Sequence, residues 1–290
     1  MEGLTRRRFL RLSAAAGTGA ALGIGGYAGL VASFHNQVTR IDLTLPRLPA
    51  QFEGFKIAQL SDLHYGPYTG DREIGAAVAL AASLAPDVFV ATGDFVTTPR
   101  FGDRRPGVAQ IEPCSRLLQE VHPLLGRFAV LGNHDYGVAP DFVAEVLNAH
   151  GVRVLRNQAA VLERDGARLW LVGVDDVMLE AAHLDKALAQ TAREECKIVL
   201  VHEPDFADVV AREPVDLQIS GHSHGGQVRL PGIRPLYLPP MARKYWHGLY
   251  HVGEMPLYVN RGIGTIGVPL RLDADPEVTL FTLHSPKHLG

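Results

Sequence analysis

Metal-type ligands occur in five short polar clusters, and each cluster directly follows a run of apolar residues. These runs have the length and the β-branched content of buried strands. In open α/β sheets, ligands bind beyond the carboxyl ends of the strands, so we expect the clusters to meet at one edge. The five clusters are Asp62-Leu63-His64, Gly93-Asp94, Gly132-Asn133-His134-Asp135, His202 and Gly221-His222-Ser223-His224.

The donor atoms in these clusters are carboxylate and amide oxygens and imidazole nitrogens. Because no thiolate is present, the set suits Mn, Fe(II), Zn or Ni better than a structural cysteine-type zinc site. Seven ligands are too many for one tetrahedral ion and match two ions that share a carboxylate. One such cluster alone is ordinarily a cap or a turn. Five in succession, with glycines at Gly93, Gly132 and Gly221 that permit tight turns, predict a binuclear metal centre.

The elements that must position these ligands follow an α/β pattern, in which short apolar runs alternate with longer Ala/Leu-rich runs. An edge strand is predicted where Ile41, Leu43 and Leu45 alternate with polar residues. The other predicted strands are residues 56–60, 88–91, 128–131, 168–174, 198–201, 217–219 and 278–283. The predicted helices are residues 72–84, 111–121, 141–149, 183–190 and 206–211. Residues 99–110 and 231–250 are rich in Gly, Pro and Arg and are predicted to be irregular.

Composition argues against two classes of protein. The first 33 residues hold four Arg and one Glu, so the rest of the chain carries 24 Lys and Arg against 30 Asp and Glu. An acidic body lacks the clustered cations of a nucleic-acid groove, and no nucleic acid partner is expected. The two cysteines, Cys114 and Cys196, do not make a disulfide framework, and two separate buried thiols are favoured over a single bridge.

Residues 1–33 are predicted to be a targeting segment outside the fold. Arg6-Arg7-Arg8 followed by Phe9-Leu10 resembles a twin-arginine export signal, and an uncharged Ala- and Gly-rich run follows it. The alternative is an N-terminal membrane anchor, since residues 12–34 are long enough to span a bilayer. Whether the segment is cleaved stays open. Either way, the catalytic domain, residues 34–290, is expected outside the cytoplasmic membrane, with that membrane and the twin-arginine export machinery as partners.

The series of clusters resembles the motifs of the calcineurin-like metallophosphoesterases over residues 52–283. The arginine leader and Gly225-Gly226-Gln227 are similar to an exported, membrane-associated bacterial branch of that family. The resemblance implies a four-layer αββα sandwich of two mixed β-sheets. It also implies one metal ion held by Asp62, His64, Asp94 and His224, and a second held by Asp94, Asn133, His202 and His222.

The same resemblance implies a mechanism in which a hydroxide that bridges the two metal ions attacks the phosphorus of a phosphate ester. Asp94 is expected to bridge the ions, His134 to be the catalytic histidine and Asp135 to orient it. Arg261 and Arg271 are candidate ligands for a substrate phosphate. An aromatic and basic stretch around Tyr237 and residues 243–250 is a candidate substrate rim or membrane-touching edge.

Three functions stay open at this point. The favoured one is a phosphodiesterase or phosphatase at the outer face of the cytoplasmic membrane, with a lipid-linked phosphate ester as a candidate substrate. The second is a pyrophosphatase for UDP-2,3-diacylglucosamine in lipid A synthesis, which conflicts with a domain outside the cytoplasm. The third is a metal-binding membrane scaffold without turnover, against which the His134-Asp135 pair argues. The residues do not distinguish manganese, iron and zinc.

Overall fold

The computed structural model describes residues 36–98 and 105–286, together with Gly26. The predicted leader, residues 1–33, therefore lies outside the described residues except at Gly26, and the predictions for it are not addressed by the fold. Among the helices of the described residues, none combines the length and the apolar character that crossing a membrane requires.

Twelve strands in the described residues form two mixed sheets of six strands each. In the first sheet the order is β1-β12-β2-β3-β4-β5, and in the second it is β10-β11-β9-β8-β7-β6. The strands are β1 Gln37–Thr44, β2 Phe55–Leu60, β3 Val88–Thr92, β4 Arg127–Val130, β5 Val152–Val154, β6 Gln158–Arg164, β7 Ala167–Gly173, β8 Cys196–Leu200, β9 Leu217–Ser220, β10 Gly248–Val252, β11 Met255–Val259 and β12 Glu277–His284.

Helices cover the outer faces of both sheets. The α helices are α1 Asp71–Ser83, α2 Arg105–Leu118, α3 Asn133–Val138, α4 Pro140–Ala149, α5 Leu184–Leu188 and α6 Ala207–Val210. Short 3-10 helices in the described residues include Ala50–Phe52, Pro204–Phe206 and His224–Gly226. Helices α1, α2 and α4 share a buried apolar cluster with the first sheet, and α5 and α6 share one with the second.

The core between the sheets follows from the alternation of side chains along the strands. In β3, Val88 and Val90 face the second sheet, while Phe89 and Ala91 face the helices. Both faces of this strand are buried, which explains its continuous apolar sequence. The arrangement is the expected four-layer αββα sandwich of two mixed sheets.

The predicted strands and helices are found with shifts of a few residues at their ends. The prediction of an irregular segment over residues 99–110 is wrong from Arg105 onward, because α2 begins there. Proline is tolerated in the first helical turn, so Pro106 does not prevent helix formation. A Cβ on Gly107 would lie 2.6 Å from Val138 Cγ2, so this glycine lets α2 pack closely against α3.

Four strands and one helix were not predicted, namely β5, β6, β10, β11 and α3. Strand β10 begins at Gly248 and so overlaps the end of the segment predicted to be irregular, residues 231–250. Strand β11 contains Pro256, a residue that argues against an internal strand. Pro256 lies opposite His251 in the hairpin with β10. The two cysteines, Cys114 and Cys196, are buried and unpaired, as predicted.

Candidate metal centre

The five polar clusters meet at one edge of the sandwich, as the sequence predicts. Strands β2, β3 and β4 run parallel to one another in the first sheet, and β8 and β9 run parallel in the second. Backbone hydrogen bonds join the loops that follow them: the amide of Asp62 donates to the carbonyl of Gly93, and that of Gly221 donates to that of His202. Each sheet therefore contributes part of the ligand set: the first supplies two carboxylates, an imidazole and an amide, and the second supplies three imidazoles.

Two groups of ligand atoms lie on either side of Asp94. On one side are Asp62, His64 and His224, whose ligand atoms lie within 4.8 Å of one another. On the other side are His202 and His222, which form a second such group with Asp94. The Oδ2 atom of Asp94 lies 3.5 Å from His64 Nε2 and 3.2 Å from His202 Nε2.

The close spacing of nitrogen atoms within each group is typical of imidazoles that converge on a cation. His64 Nε2 and His224 Nε2 are 3.0 Å apart, and His202 Nε2 and His222 Nδ1 are 3.2 Å apart. The Nε2 atom of His224 also lies 3.4 Å from Asp62 Oδ1. Asp94 stands between the two pairs, in the position of a carboxylate shared by two sites.

Asn133 supplies an independent sign that a ligand belongs here. Its Oδ1 atom is enclosed by protein and accepts no hydrogen bond in the described structure. A buried polar atom without a partner is costly, and a metal ion removes that cost. Asn133 is the first residue of α3, directly after the turn at Gly132 that leaves β4. The residues present therefore fit a divalent metal centre.

Backbone carbonyls fix the orientation of two imidazoles. His202 Nδ1–H donates to the Thr92 carbonyl at 2.6 Å, which leaves the Nε2 lone pair directed toward Asp94. His222 Nε2–H donates to the Pro240 carbonyl at 2.8 Å, which leaves Nδ1 as the free ligand atom. Outer contacts of this kind set the tautomer and orientation of metal-binding histidines.

Burial keeps most of these histidines neutral and thus able to donate a lone pair. It lowers the pKa of His64 and that of His222 to about 3 and holds the pKa of His224 well below its usual range. Burial also raises the pKa of the Asp62 carboxyl to about 6, and the Asp94 charge adds to this effect.

Asp94 and His202 are shifted in the direction of an ion pair. Burial alone would raise the pKa of Asp94, but His202 and His134 outweigh it and hold that pKa well below its usual range. Burial would likewise lower the pKa of His202, yet the Asp94 carboxylate raises it well above the usual value. Both shifts show that the surroundings of Asp94 favour a positive charge next to its carboxylate.

The ligand loops have an unusual backbone. Five of the seven predicted ligands have positive φ angles, between 45° and 70°. They are Asp62, His64, Asp94, His222 and His224. Residues other than glycine rarely adopt this conformation, and such residues cluster at functional sites where the surrounding structure enforces it.

Two glycines make the close approach of these loops possible. A Cβ on Gly132 would overlap the carboxylate of Asp94. A Cβ on Gly221 would overlap the side chains of Ser61 and Asp62. Both positions therefore exclude every residue larger than glycine unless the ligands move.

His134 lies beside the first group of ligands. Its ring packs edge-on against the ring of His64, with centroids 4.8 Å apart. Its Nδ1 atom accepts a hydrogen bond of 3.0 Å from the backbone N–H of Thr98. A neutral imidazole that accepts at Nδ1 carries its proton at Nε2. The backbone amide of His134 donates to Asp94 Oδ1 at 2.9 Å, so the same residue also positions the shared carboxylate.

The contacts of Asp135 differ from the expectation that it orients the ring of His134. Its carboxylate accepts hydrogen bonds from the backbone amides of Asp94, Phe95, Val96 and Gly132. Adjacent residues on a helix do not face each other, which explains why the two side chains diverge at the start of α3. Asp135 thus ties the loop after β3 to the loop after β4. The role predicted for Asp135, orienting the ring of His134, is performed by the backbone amide of Thr98.

The two predicted phosphate-binding arginines have partners within the protein. Arg271 is fully buried and donates to the carbonyls of Arg261, Gly264 and Ala274. Arg261 Nε donates to the Glu277 carboxylate at 2.8 Å. Contact of either arginine with a substrate stays a prediction, and the contacts found here hold the loop after β11 in shape and tie it to β12.

Sequence reasoning missed Thr92, Thr98 and Pro240, which contact the histidines of the site. All three act through backbone N–H or carbonyl groups. A backbone group is present at every position, so residue type carried no signal for these contacts. Only the fold could reveal them.

Fold and site together define a metal-dependent hydrolase of phosphoesters. A model of the calcineurin-like phosphoesterase family matches residues 55–226, which include all seven predicted ligands and His134. The chain belongs to this family.

Three relatives show how far the similarity extends along the chain. The uncharacterized metallophosphoesterase YkuE of Bacillus subtilis is 34% identical over 98% of this chain and 99% of its own length. The phosphodiesterase YaeI of Escherichia coli is 35% identical over 79% of this chain and 82% of its own. The UDP-2,3-diacylglucosamine pyrophosphatase LpxG of Chlamydia trachomatis is 30% identical over 84% and 88%, respectively.

Proposed function

We propose that this protein is a phosphodiesterase or phosphatase that holds two divalent metal ions, one on each side of Asp94. The position of the Asp94 carboxylate between two converging groups of imidazoles is the observation that carries the proposal. One ion would be bound by Asp62, His64, Asp94 and His224. The other would be bound by Asp94, Asn133, His202 and His222. Manganese, iron and zinc all suit these donors.

When bound, such a metal pair supplies Lewis acidity toward phosphoryl oxygens and lowers the pKa of a coordinated water, so that hydroxide forms near neutral pH. The anionic Asp94 would offset the repulsion between the two cations. Asn133 would contribute a neutral oxygen, which withdraws less of the metal's positive charge than a carboxylate.

His134 is the proposed catalytic residue. The Thr98 amide leaves its proton at Nε2, from where it would donate a hydrogen bond to a phosphoryl or leaving-group oxygen. Asp135 would act indirectly, since its carboxylate accepts hydrogen bonds from the backbone amides of Asp94 and Gly132. A pure metal-binding scaffold has no need of a proton held in this way, so the arrangement favours an enzyme.

The test uses the full chain stripped of metal and supplied in turn with Mn, Fe(II), Zn or Mg. Hydrolysis of bis(p-nitrophenyl) phosphate and of p-nitrophenyl phosphate is followed in parallel, with His134→Gln as the control. Release that requires metal and is lost in the variant supports the proposal, and the preferred substrate separates diesterase from phosphatase. Two bound ions per chain without hydrolysis of any phosphoester would favour the scaffold instead.

The location is also part of the proposal. The arginine-rich leader supports export by the twin-arginine route and a site of action at the outer face of the cytoplasmic membrane. A reporter fused after Gly290 tests this. Reporter activity only outside the cytoplasm is the expected result, and activity only inside would contradict it.

A second candidate function is hydrolysis of the diphosphate of UDP-2,3-diacylglucosamine. The similarity to LpxG over most of both chains favours it. Purified LpxG substrate distinguishes the two candidates: release of uridine monophosphate at a rate far above that with simple diesters would support the pyrophosphatase. A reporter that is active only in the cytoplasm would support it as well.

A further inference from the structure

Exposed large apolar side chains are concentrated in residues 228–237 of the described chain. Leu236 is 100% exposed and Tyr237 is 74% exposed, while Leu230 and Ile233 are each more than half exposed. A patch of this kind ordinarily marks a surface that meets a partner or a membrane. Residues 228–247 are called the outer segment below.

A cavity of about 670 Å³ lies against the outer segment and is rich in cations. Arg229, Arg234, Arg243 and Lys244 line it, together with the indole of Trp246. Ile233 belongs both to the wall of the cavity and to the exposed apolar patch, so the two features form one continuous surface.

Two of the four cations have no counter-ion within the described chain. Arg229 pairs with Asp273 at 3.1 Å, and Lys244 pairs with Asp208 at 2.8 Å. Arg234 donates to the carbonyl of Arg243, and neither of these two arginines forms an ion pair with a described residue. The cavity therefore has an excess of positive charge, although the chain as a whole has a formal net charge of -3.

The outer segment rests directly on the loop that holds two of the predicted metal ligands. His222 donates to the carbonyl of Pro240, and Ser223 Oγ donates to the carbonyl of Trp246 at 2.5 Å. A Cβ on Gly226 would overlap Pro235, so the segment also packs against the end of this loop. The wall of the cavity at Trp246 thus contacts the loop that carries His222 and His224.

We propose that the outer segment docks on an anionic lipid surface, with its apolar side chains among the acyl chains and its arginines at the lipid phosphates. Charge complementarity selects this occupant, because exposed apolar residues beside unpaired arginines match the acyl chains and the anionic head groups of one surface. An aromatic side chain such as Tyr237 is typical of the boundary between lipid and water.

This inference rests on the proposed function and names its substrate class: a phosphoester carried by a lipid and presented at a membrane surface. Docking through the outer segment would bring such head groups to the cavity, whose wall at Trp246 contacts Ser223 of the ligand loop. A protein partner with an acidic and apolar face is the other occupant, and the experiment below distinguishes it.

The test places a tryptophan at the tip of the patch in the full chain. Leu236→Trp introduces the probe where the side chain is fully exposed, and Leu124→Trp is the matched control at a position that is 84% exposed. Leu124 precedes β4 and so lies at the opposite end of that strand from the metal centre. Vesicles of brominated phosphatidylglycerol and phosphatidylcholine quench tryptophans that reach the acyl region.

The parent chain is the reference, because its own Trp246 lies in the outer segment. The expected result is a greater loss of tryptophan fluorescence in Leu236→Trp than in the parent, and no loss beyond that of the parent in Leu124→Trp. Because every variant carries the same leader, insertion of the leader cannot produce a difference between the two positions. Adding Arg234→Gln and Arg243→Gln to Leu236→Trp should reduce quenching to the level seen with purely zwitterionic brominated vesicles.

Equal quenching at positions 236 and 124, or quenching at neither, would overturn the lipid surface and leave a protein partner as the occupant. Hydrolysis of soluble bis(p-nitrophenyl) phosphate by the same samples is measured in parallel. Hydrolysis without selective quenching overturns only the docking inference. Selective quenching without hydrolysis under any metal overturns the proposed function instead.

Discussion

The metal centre and the outer segment lie against each other, yet they differ in how far their side chains are exposed to solvent. In the metal centre, Asp62, Asp94 and His202 are buried, and backbone hydrogen bonds tie the loops that carry them. In the outer segment, Leu236 and Tyr237 are exposed. The chemistry of the site therefore depends on a geometry that the surrounding structure enforces, whereas the recognition proposed for the neighbouring surface depends on side chains that are left exposed.

Backbone conformation sharpens the contrast. The ligand loops store strain at five positive-φ residues, and each such residue costs on the order of 1–3 kcal/mol. The strained conformations persist because hydrogen bonds between the loops hold each loop in place. A substitution in the metal centre should therefore change several contacts at once. A substitution of an exposed side chain in the outer segment should leave the contacts of neighbouring residues unchanged.

The largest expected effect is at the shared carboxylate. Asp94→Asn removes the negative charge that both ions would share, so metal binding and activity should be lost together, the latter by more than about 10,000-fold. Metal content by mass spectrometry and diester hydrolysis measure the two losses. Asp165→Asn is the matched control, since Asp165 is an exposed residue that also has a positive φ of 50°. Full metal content with intact activity in Asp94→Asn would refute the bridging role.

His134→Gln is expected to separate the two properties that Asp94→Asn removes together. The metal ligands stay in place, so two ions should still bind, while turnover should fall by roughly 100-fold or more because the proton at Nε2 is lost. Single-turnover hydrolysis at saturating metal measures the change. Activity within about twofold of the parent, at the precision of such assays, would show that His134 does not act in the reaction.

Acidification should weaken metal binding through Asp62. Burial raises the pKa of this carboxyl to about 6, so below pH 6 a proton on Asp62 competes with the metal and adds about tenfold per pH unit to the loss of apparent affinity. His64 and His222, each with a pKa of about 3, stay neutral in that range and do not contribute. The Asp94 carboxylate raises the pKa of His202 well above its usual value, so metal binding must also displace a proton there, and the fall in affinity should steepen below pH 6. Calorimetric titration of the metal-free chain from pH 8 to 5 measures the effect. An affinity that is constant across this range would contradict the assignment.

Gly221→Ala tests whether close packing, rather than ligand identity alone, builds the centre. The added methyl would overlap Ser61 and Asp62, and overpacking of this kind costs about 1–3 kcal/mol of unfolding free energy. Gly75→Ala, within α1, is the control and should be neutral or stabilising, because the nearest atom lies 3.9 Å from the new methyl. Chemical denaturation measures both. Equal stability of the two variants would show that the loops can separate at no cost.

The metal centre was largely predictable from the sequence, for a physical reason. Asp94 and His202 each follow a continuous apolar strand. Because ligands bind at the carboxyl ends of parallel strands, residues at these strand ends could be predicted to lie close together. The same reasoning could not find the role of Asp135, since its partners are backbone amides that every residue possesses. Nor could it find the burial of Arg271, which depends on how the loop after β11 folds back.

The fold was predictable where periodicity was strong and unpredictable where it was weak. Strand β3 is continuously apolar and was found, while β5 has only three residues and β11 contains Pro256. The outer segment showed its aromatic and basic residues in the sequence. Which of them are exposed, and that they adjoin His222, required the structure.

The smallest expected effect lies in the outer segment. Leu236→Ser exchanges a side chain that is fully exposed, so its effect on unfolding free energy should stay within about 0.5 kcal/mol. Hydrolysis of a soluble diester should be unchanged, because Leu236 lies outside the set of metal ligands. Hydrolysis of a phosphoester embedded in anionic vesicles should fall, since docking loses its most exposed apolar contact. Leu124→Ser, which is equally conservative and lies away from the metal centre, should alter neither rate. If Leu236→Ser slowed both substrates equally, the outer segment would have to act on the metal centre itself, and the division between the two regions would not hold.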